Sequence, residues 1–361
     1  MRFGVCGRKF PDAARLGPEG ILDRVNELGF DGVFFRSILD LDPHLDPDHL
    51  RAIRRRADAY GLYFEVGLGK VNPFNTAETP EVRQLGRGDY LLGMEKMIRA
   101  AHSIGCTELW ADTANSQNAA WGLFSIDRFR TDVTWEDQLQ ATQRFLSMLA
   151  PVLRELGCRI DLETHEEITT HELLRMIDSV GADVLGVTLD LANVVLRGED
   201  PVAATRRVAP YVHLTHMRDV ILYRTPKGLA RQIRACGDGS IDWSLVMSAL
   251  VECNMDLNLS VECVSRRNDT AIPIHDPRWQ AAQPDLSGDE LQSLVNYASR
   301  IQQSGIASPD GYYPTPVLST DEQIDFIRRC HAHLRRYVAS PNASVVEPAW
   351  ARRPVPSTHN L

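Results

Sequence analysis

Apolar and polar positions along the chain form two alternating kinds of segment. Short apolar runs rich in β-branched residues are followed by longer segments with helical spacing of apolar residues, such as GPEGILDRVNELGF and GDYLLGMEKMIRAAHSIGC. This order is typical of parallel strands joined by helical crossovers. We predict eight strands, at 3–6, 32–35, 63–68, 108–111, 159–163, 186–190, 211–216 and 257–262.

Eight strand–helix units in succession predict one fold class, a single (β/α)8 TIM barrel. A doubly wound sheet is the alternative, but its Gly-x-Gly-x-x-Gly turn is missing after the first strand, where the chain reads CGRKFPDAARLG. We therefore assign residues 1–339 to a TIM-barrel catalytic domain. Residues 340–361 carry four prolines and little apolar content, which predicts an extended or disordered tail.

Two long connections interrupt the regular spacing, at 112–134 after the fourth strand and at 263 to about 285 after the eighth. Connections of this length often serve as lids or contact surfaces, and plain surface insertions are the alternative. Aromatic residues in and beyond these connections favour contact surfaces: Trp121, Phe124, Trp279, Tyr312 and Tyr313.

The composition narrows the function classes. The chain is 43% hydrophobic and 24% charged, which is ordinary for a globular protein. Lys and Arg total 39 against 48 for Asp and Glu, and a net charge of −9 argues against nucleic acid as a partner. The seven cysteines are scattered without a C-x-x-C pair, which favours a reducing cytoplasm. No apolar run predicts a secretory signal or a membrane span.

Polar residues end four of the predicted strands. The fifth ends at Glu163, the sixth at Asp190, the seventh at His216 and the eighth at Glu262. In a TIM barrel, the side chains that do chemistry lie at the C-terminal ends of the strands. The four residues therefore occupy equivalent positions, and closure of the barrel would bring them together at one end.

Three carboxylates and one imidazole suit a hard or borderline divalent cation, and we predict Mn²⁺, with Mg²⁺ or Co²⁺ as alternatives. Without a cation, three close carboxylates would repel one another. The alternative for each residue alone is an ordinary structural role: the acids would cap loops, and His216 would be a hydrogen-bonded core histidine.

Several segments together resemble the xylose isomerase-like TIM-barrel superfamily of sugar isomerases and epimerases, over residues 2–338. They are ELGFDGVFF, the strand that ends at Glu163, Asp190 with Asn193 as D-x-x-N, HMRD as His216 with Arg218 and Asp219, and GDGSIDW. D-tagatose 3-epimerase, inosose dehydratase and the large subunits of C-glycoside deglycosidases are similar to this superfamily.

The resemblance implies that Glu163, Asp190, His216 and Glu262 are the metal ligands and that Glu163 and Glu262 act as acid and base. The sequence also departs from the family pattern. Phe34 and Phe35 stand where many members have an acidic residue, His213 is unusually spaced from His216, and the 263–285 connection is long for a simple epimerase. These departures affect the expected substrate more than the expected metal.

Other residues near the strand ends are candidates for the site. His165 lies two residues beyond Glu163, so we consider it a proton donor or, alternatively, a loop residue that caps a helix or hydrogen-bonds water. Asn193, Arg218 and Trp110 are candidate substrate contacts. For Arg218 an ion pair with Asp219 is the alternative, and for Trp110 it is packing in the core. We expect His213 to face the surrounding helices.

These features predict a metal-dependent isomerase or epimerase that removes the proton beside the carbonyl of a ketose or keto-sugar, through an enediolate-type intermediate. A lyase that releases the aglycone of a 3-keto-glycoside, and a keto-cyclitol dehydratase, use the same first step. A carbohydrate-binding barrel is the non-enzymatic alternative. We expect a homo-oligomer, with a small partner subunit possible, and no nucleic acid or membrane partner.

Overall fold

Eight parallel strands form a barrel in the computed structural model, which describes residues 1–114, 126–265, 269–304 and 317–338. The strand order is β10-β1-β2-β3-β4-β5-β6-β7, and the predicted TIM-barrel fold is confirmed. The barrel strands are β1 (Arg2–Cys6), β2 (Gly32–Phe35), β3 (Tyr63–Lys70), β4 (Glu108–Asp112), β5 (Arg159–Glu163), β6 (Leu185–Asp190), β7 (Val212–His216) and β10 (Asn258–Val261).

Helices cover the outside of the barrel. Most begin at a side-chain cap: Asp46, for example, accepts hydrogen bonds from the N–H groups of Asp48 and His49 at the start of α2. The helices are α1 (Ala13–Glu27), α2 (Pro47–Ala59), α3 (Pro80–Leu85), α4 (Tyr90–Ser103), α5 (Trp135–Leu156), α6 (Thr170–Val180), α7 (Leu191–Val194), α8 (Pro201–Val208), α9 (Trp243–Cys253), α10 (Pro277–Ala281), α11 (Gly288–Gln303) and α12 (Thr320–Val338).

Strand alternation separates the two faces of the barrel wall. Ile160 and Leu162 of β5 join the apolar core shared with the helices, so Asp161 and Glu163 face the interior. The first and last barrel strands pair in parallel from Arg2 opposite Asn258, and Met217 bridges to Val261 to close the wall. Polar side chains therefore occupy both ends of the barrel interior.

A second, three-stranded antiparallel sheet was not predicted. It consists of β8 (Asp219–Thr225), β9 (Gly228–Arg234) and β11 (Asp269–Ile272), in the order β11-β9-β8. The hairpin of β8 and β9 accounts for the long interval between His216 and Glu262. The connection at 263–285, expected to lack secondary structure, contains β11 and α10.

A bulge in β7 makes one expectation wrong. Val187 pairs with Val212, but Thr188 pairs with Leu214, so His213 is the extra residue on β7. The extra residue breaks the inward–outward alternation. His213 consequently faces the barrel interior beside Asp161 rather than the helices.

The expected contact surface in the long connections finds no support at Trp279, which is fully buried against Gly198. The other aromatic residues named for that surface, Trp121, Phe124, Tyr312 and Tyr313, lie outside the described residues, as does the tail at 340–361.

Candidate functional site

Four side chains meet at the C-terminal end of the barrel, as the sequence predicts. Glu163 ends β5, Asp190 ends β6, His216 ends β7 and Glu262 follows β10. Each offers one ligand atom, these atoms lie within 4.8 Å of one another, and all four side chains are buried. We call these residues the C-terminal cluster. Their convergence follows from the parallel register, which sets Asp190 opposite His216.

Arg218 lies between two of these carboxylates. Its Nε donates to Asp190 Oδ2 at 2.9 Å, and its Nη1 lies 2.8 Å from Glu262 Oε2. The expected ion pair between Arg218 and Asp219 is not formed, because Asp219 begins β8 and turns away from the site. Asp219 instead accepts hydrogen bonds from the backbone N–H of Gly237 and from Trp243 Nε1. Arg218 thus supplies positive charge to the C-terminal cluster itself.

A second guanidinium, from Arg36, enters the site from the end of β2. Its Nη2 lies 3.4 Å from Asp112 Oδ2 and 3.7 Å from Glu163 Oε2. Its Cζ lies 4.2 Å from the centre of the Trp110 ring, a cation–π distance. Lys70 Nζ, at the end of β3, donates to Asp112 at 2.9 Å. Our sequence reasoning missed these residues, although they occupy strand ends like the four that it found.

The neighbouring cations determine the charge state of the carboxylates. Burial alone would raise the pKa of Glu163, but His216, His165 and Arg36 hold it well below its ordinary value. Arg218 and His216 likewise outweigh burial and lower the pKa of Glu262 to about 2. Both groups are therefore carboxylates at neutral pH, the form that binds a metal or accepts a proton.

The surroundings of His216 show whether the four residues of the C-terminal cluster fit a divalent cation. Its Nδ1 lies 3.2 Å from Glu163 Oε1, and its ring stacks on Phe34 with 4.9 Å between the ring centres. Its Nδ1 is therefore the nitrogen that meets the carboxyl groups of the cluster, and one imidazole with three carboxyl groups is a donor set that fits a divalent metal ion. Arg218 holds oxygens of Asp190 and Glu262, so it would compete with such an ion for them.

His165 lies at the edge of the site. Its Nδ1 is 2.7 Å from Glu167 Oε2, and Thr113 Oγ1 donates to Glu167 Oε1 at 2.6 Å. Burial disfavours the charged imidazole, but Glu167 and Glu163 raise the pKa of His165 to about 10. The expected alternative, that His165 caps a helix, is wrong, because Thr169 caps α6. Glu167, which orients His165, was not found from the sequence.

Asn193 and Trp110, which we predicted as substrate contacts, form hydrogen bonds with other side chains of the protein. Asn193 Nδ2 donates to Asp190 Oδ2 at 3.2 Å, and its Oδ1 accepts from Arg231 Nη1 at 3.0 Å. Trp110 Nε1 donates to Glu163 Oε2 at 2.9 Å, and its ring packs with Phe34 in the barrel interior. The contacts place both side chains as supports that orient carboxylates of the C-terminal cluster.

Comparisons with known proteins agree with this architecture. The family model described as "Xylose isomerase-like TIM barrel" matches residues 22–294. A D-psicose 3-epimerase from Clostridium cellulolyticum H10 covers 83% of this chain and 98% of its own, with a TM-score of 0.54 and 14% identity. A 3-keto-D-glucoside 4-epimerase from E. coli covers 82% of this chain and 99% of its own, with a TM-score of 0.52 and 16% identity.

Curated relatives match over shorter stretches. A 3-oxo-isoapionate decarboxylase from Pectobacterium atrosepticum is 24% identical over 119 residues, which is 32% of this chain and 43% of that protein. The matches thus span less than half the length of the curated relatives.

No helix in the described ranges is both long and apolar enough to cross a membrane. The family match covers most of the barrel, and the chain belongs to the xylose isomerase-like TIM-barrel family.

Proposed function

We propose that the protein is a divalent-metal-dependent isomerase or epimerase that acts on a ketose or keto-sugar. The observation that carries this proposal is the C-terminal cluster, in which three buried carboxyl groups and the imidazole of His216 converge at the end of the barrel. Sugar epimerases among the structural neighbours agree with it. Glu163, Asp190, His216 and Glu262 would hold the ion, with Mn²⁺ as the first candidate.

A bound divalent cation would supply Lewis-acid polarisation of the substrate carbonyl, which makes the neighbouring C–H more acidic. Glu163 ends β5 and Glu262 follows β10, and β6 and β7 separate these two strands around the barrel. One carboxylate would remove the proton, and the other, after taking up a proton from water, would deliver it to the opposite face, which inverts the carbon. Return to the adjacent carbon would give isomerisation instead.

Positioning residues hold these carboxylates ready. Trp110 Nε1 fixes one oxygen of Glu163, while Asn193 and Arg218 fix Asp190. His165, oriented by Glu167, is our candidate for moving a proton to or from a substrate oxygen. This assignment gives Trp110, Asn193 and Arg218 roles in orientation and His165 a role in proton transfer.

A lyase is the second candidate function, and the two guanidiniums favour it. Arg36 and Arg218 pair with carboxylates at the site, and such groups also recognise the carboxylate of a sugar acid. One relative is a 3-oxo-isoapionate decarboxylase. Loss of CO₂ beside a ketone begins from the same polarised carbonyl as isomerisation. Elimination from a 3-keto-glycoside or a keto-cyclitol also remains open.

Mass spectrometry on the Mn²⁺-loaded protein tests these functions. The protein would be incubated in D₂O with ketoses, keto-inositols, 3-keto-glycosides and 3-oxo sugar acids. An isomer or epimer that gains one deuterium supports the first proposal. Release of an aglycone, water or CO₂ supports the lyase.

The variant Glu262→Gln is expected to lose turnover, whereas the exposed Glu155→Gln is the matched control and should keep it. If the protein binds Mn²⁺ but converts no member of the panel, both enzymatic proposals fail for these substrates. A carbohydrate-binding barrel would then be the better interpretation.

A further inference from the structure

A second group of potential ligands lies at the opposite, N-terminal end of the barrel interior. Glu108 begins β4, Asp161 lies in the middle of β5, and His213 is the bulged residue of β7. Each offers one ligand atom, and these atoms lie within 4.8 Å of one another. We call these residues the N-terminal cluster.

Asp161 is the observation that points to a ligand. Its side chain is fully buried and faces this cluster, and neither of its oxygens finds an N–H or hydroxyl donor in the described part of the chain; its polar neighbour is the Glu108 carboxyl group. Buried polar groups in proteins are almost always satisfied, so two facing acids without a donor require a shared proton or a bound cation. Glu108 adds a third unsatisfied oxygen, Oε2, while its Oε1 is paired with Arg159 Nη1 at 3.0 Å.

Gly186, on the neighbouring strand β6, leaves space for the side chains of the N-terminal cluster. A Cβ at Gly186 of β6 would lie 2.1 Å from Asp161 Oδ1 and 2.5 Å from His213 Cδ2. Any other residue at this position would push the two side chains apart. Gly186 thus allows the carboxylate and the imidazole to approach each other across β6.

His213 contributes an imidazole nitrogen to the cluster, a ligand that borderline divalent ions favour. The opening is also accessible, because the side chains of Glu108 and Arg159 are 35% and 25% exposed. An ion could therefore enter from solvent, and water could complete its coordination.

We propose that the N-terminal cluster binds a divalent transition-metal ion, with Asp161, Glu108 and His213 as its protein ligands. Two carboxylates and one imidazole suit the borderline ions from Mn²⁺ to Zn²⁺. The site has a structural role, since it lies at the end of the barrel away from the loops that carry catalysis. By joining β4, β5 and β7, the ion stabilises the wall that carries Glu163 and His216.

Equilibrium dialysis with Co²⁺, followed by elemental analysis, tests the site on the full chain. We expect the wild type to bind two ions, His216→Ala to keep only the N-terminal ion, and Asp161→Asn to keep only the C-terminal ion. The exposed His102→Ala is the matched control and should bind two. Circular dichroism would confirm that each variant is folded, and His213→Gln provides a second variant should Asp161→Asn not fold.

Equal Co²⁺ binding by the wild type, Asp161→Asn and His213→Gln would overturn the proposal, and would indicate that Asp161 and Glu108 only share a proton. Failure of this proposal can be distinguished from failure of the proposed function. If the C-terminal cluster binds no ion, the wild type and His216→Ala each bind one ion, and Asp161→Asn binds none.

Discussion

The two ends of the barrel interior carry similar residues in different electrostatic surroundings. Asp161 and Glu163 are neighbours on the inner face of β5, yet the pKa of Asp161 is raised well above its ordinary value and that of Glu163 is lowered. Burial acts on both carboxyl groups. Glu163 has His216 and Arg36 beside it, whereas Asp161 has Glu108, another acid, as its main electrostatic neighbour.

The difference shows that neighbouring charges, and not burial alone, set the pKa values of Glu163 and Asp161. In the C-terminal cluster, cations lower the pKa of Glu163 and of Glu262, while burial still raises the pKa of Asp190 beside Arg218. Among the described residues, the cation beside the N-terminal cluster is Arg159, which pairs with one oxygen of Glu108. A proton or a bound ion would satisfy the remaining oxygens of Asp161 and Glu108.

Removal of a carboxylate from the C-terminal cluster should have the largest effect on turnover. We expect Glu163→Gln to lower turnover of the active keto-sugar by roughly 10³-fold, because an amide cannot accept the substrate proton. Steady-state kinetics and Mn²⁺ titration would measure the loss. Glu155→Gln, the same change on the surface, should leave turnover unchanged. Retained turnover in Glu163→Gln would remove Glu163 from the mechanism.

Removal of Arg218 tests its role as a built-in counter-charge. In the presence of EDTA, Arg218→Met leaves Asp190 and Glu262 without their buried partner, and we expect the free energy of unfolding to fall by about 3–5 kcal/mol. Mn²⁺ should restore more stability to this variant than it adds to the wild type, because the ion no longer competes with the guanidinium. Urea unfolding with and without Mn²⁺ would measure both effects.

Arg154→Met is the control for this change, since Arg154 forms an exposed ion pair with Asp183 and its loss should alter stability little. If Mn²⁺ stabilises Arg218→Met and the wild type equally, Arg218 does not compete for the metal oxygens.

The sequence was sufficient to predict the barrel and the four members of the C-terminal cluster, because each follows an apolar strand and strand ends meet in a TIM barrel. Arg36 and Lys70 also lie at strand ends but were not predicted, since a basic side chain is not a metal ligand. The partners of Arg218 could not be predicted, since the direction of a long side chain depends on which carboxylates the fold brings near it.

The N-terminal cluster was beyond sequence reasoning for a different reason. A strict alternation along β7 places His213 outside, and only the bulge between Val212 and Leu214 turns it inward. A bulge depends on pairing with the neighbouring strand and has no signature in the segment YVHLTH. The hairpin of β8 and β9 was not predicted, because eight strand–helix units already account for a complete TIM barrel.

The prediction with the smallest expected effect concerns Glu65, on the inner face of β3 near the N-terminal cluster. It tests whether a buried acid in this half of the barrel interior lacks a neighbouring cation. Burial raises its pKa from 4.5 to about 7. The folded protein therefore keeps this proton to higher pH than the unfolded chain, and stability falls as pH rises from 4.5 to 7. The full shift corresponds to about 3 kcal/mol, and partial exposure of the side chain reduces this to about 1–2 kcal/mol.

Glu65→Gln cannot ionise and can still accept the hydrogen bond from Asn258 Nδ2, now 2.7 Å from Glu65 Oε1. We expect it to be more stable than the wild type at pH 8 and equally stable at pH 4, as measured by urea unfolding. The exposed Glu252→Gln should show no such pH-dependent gain. A constant difference at both pH values would mean that folding does not shift the pKa of Glu65, and that the N-terminal half of the interior contains a counter-charge, such as a bound cation, that offsets the effect of burial.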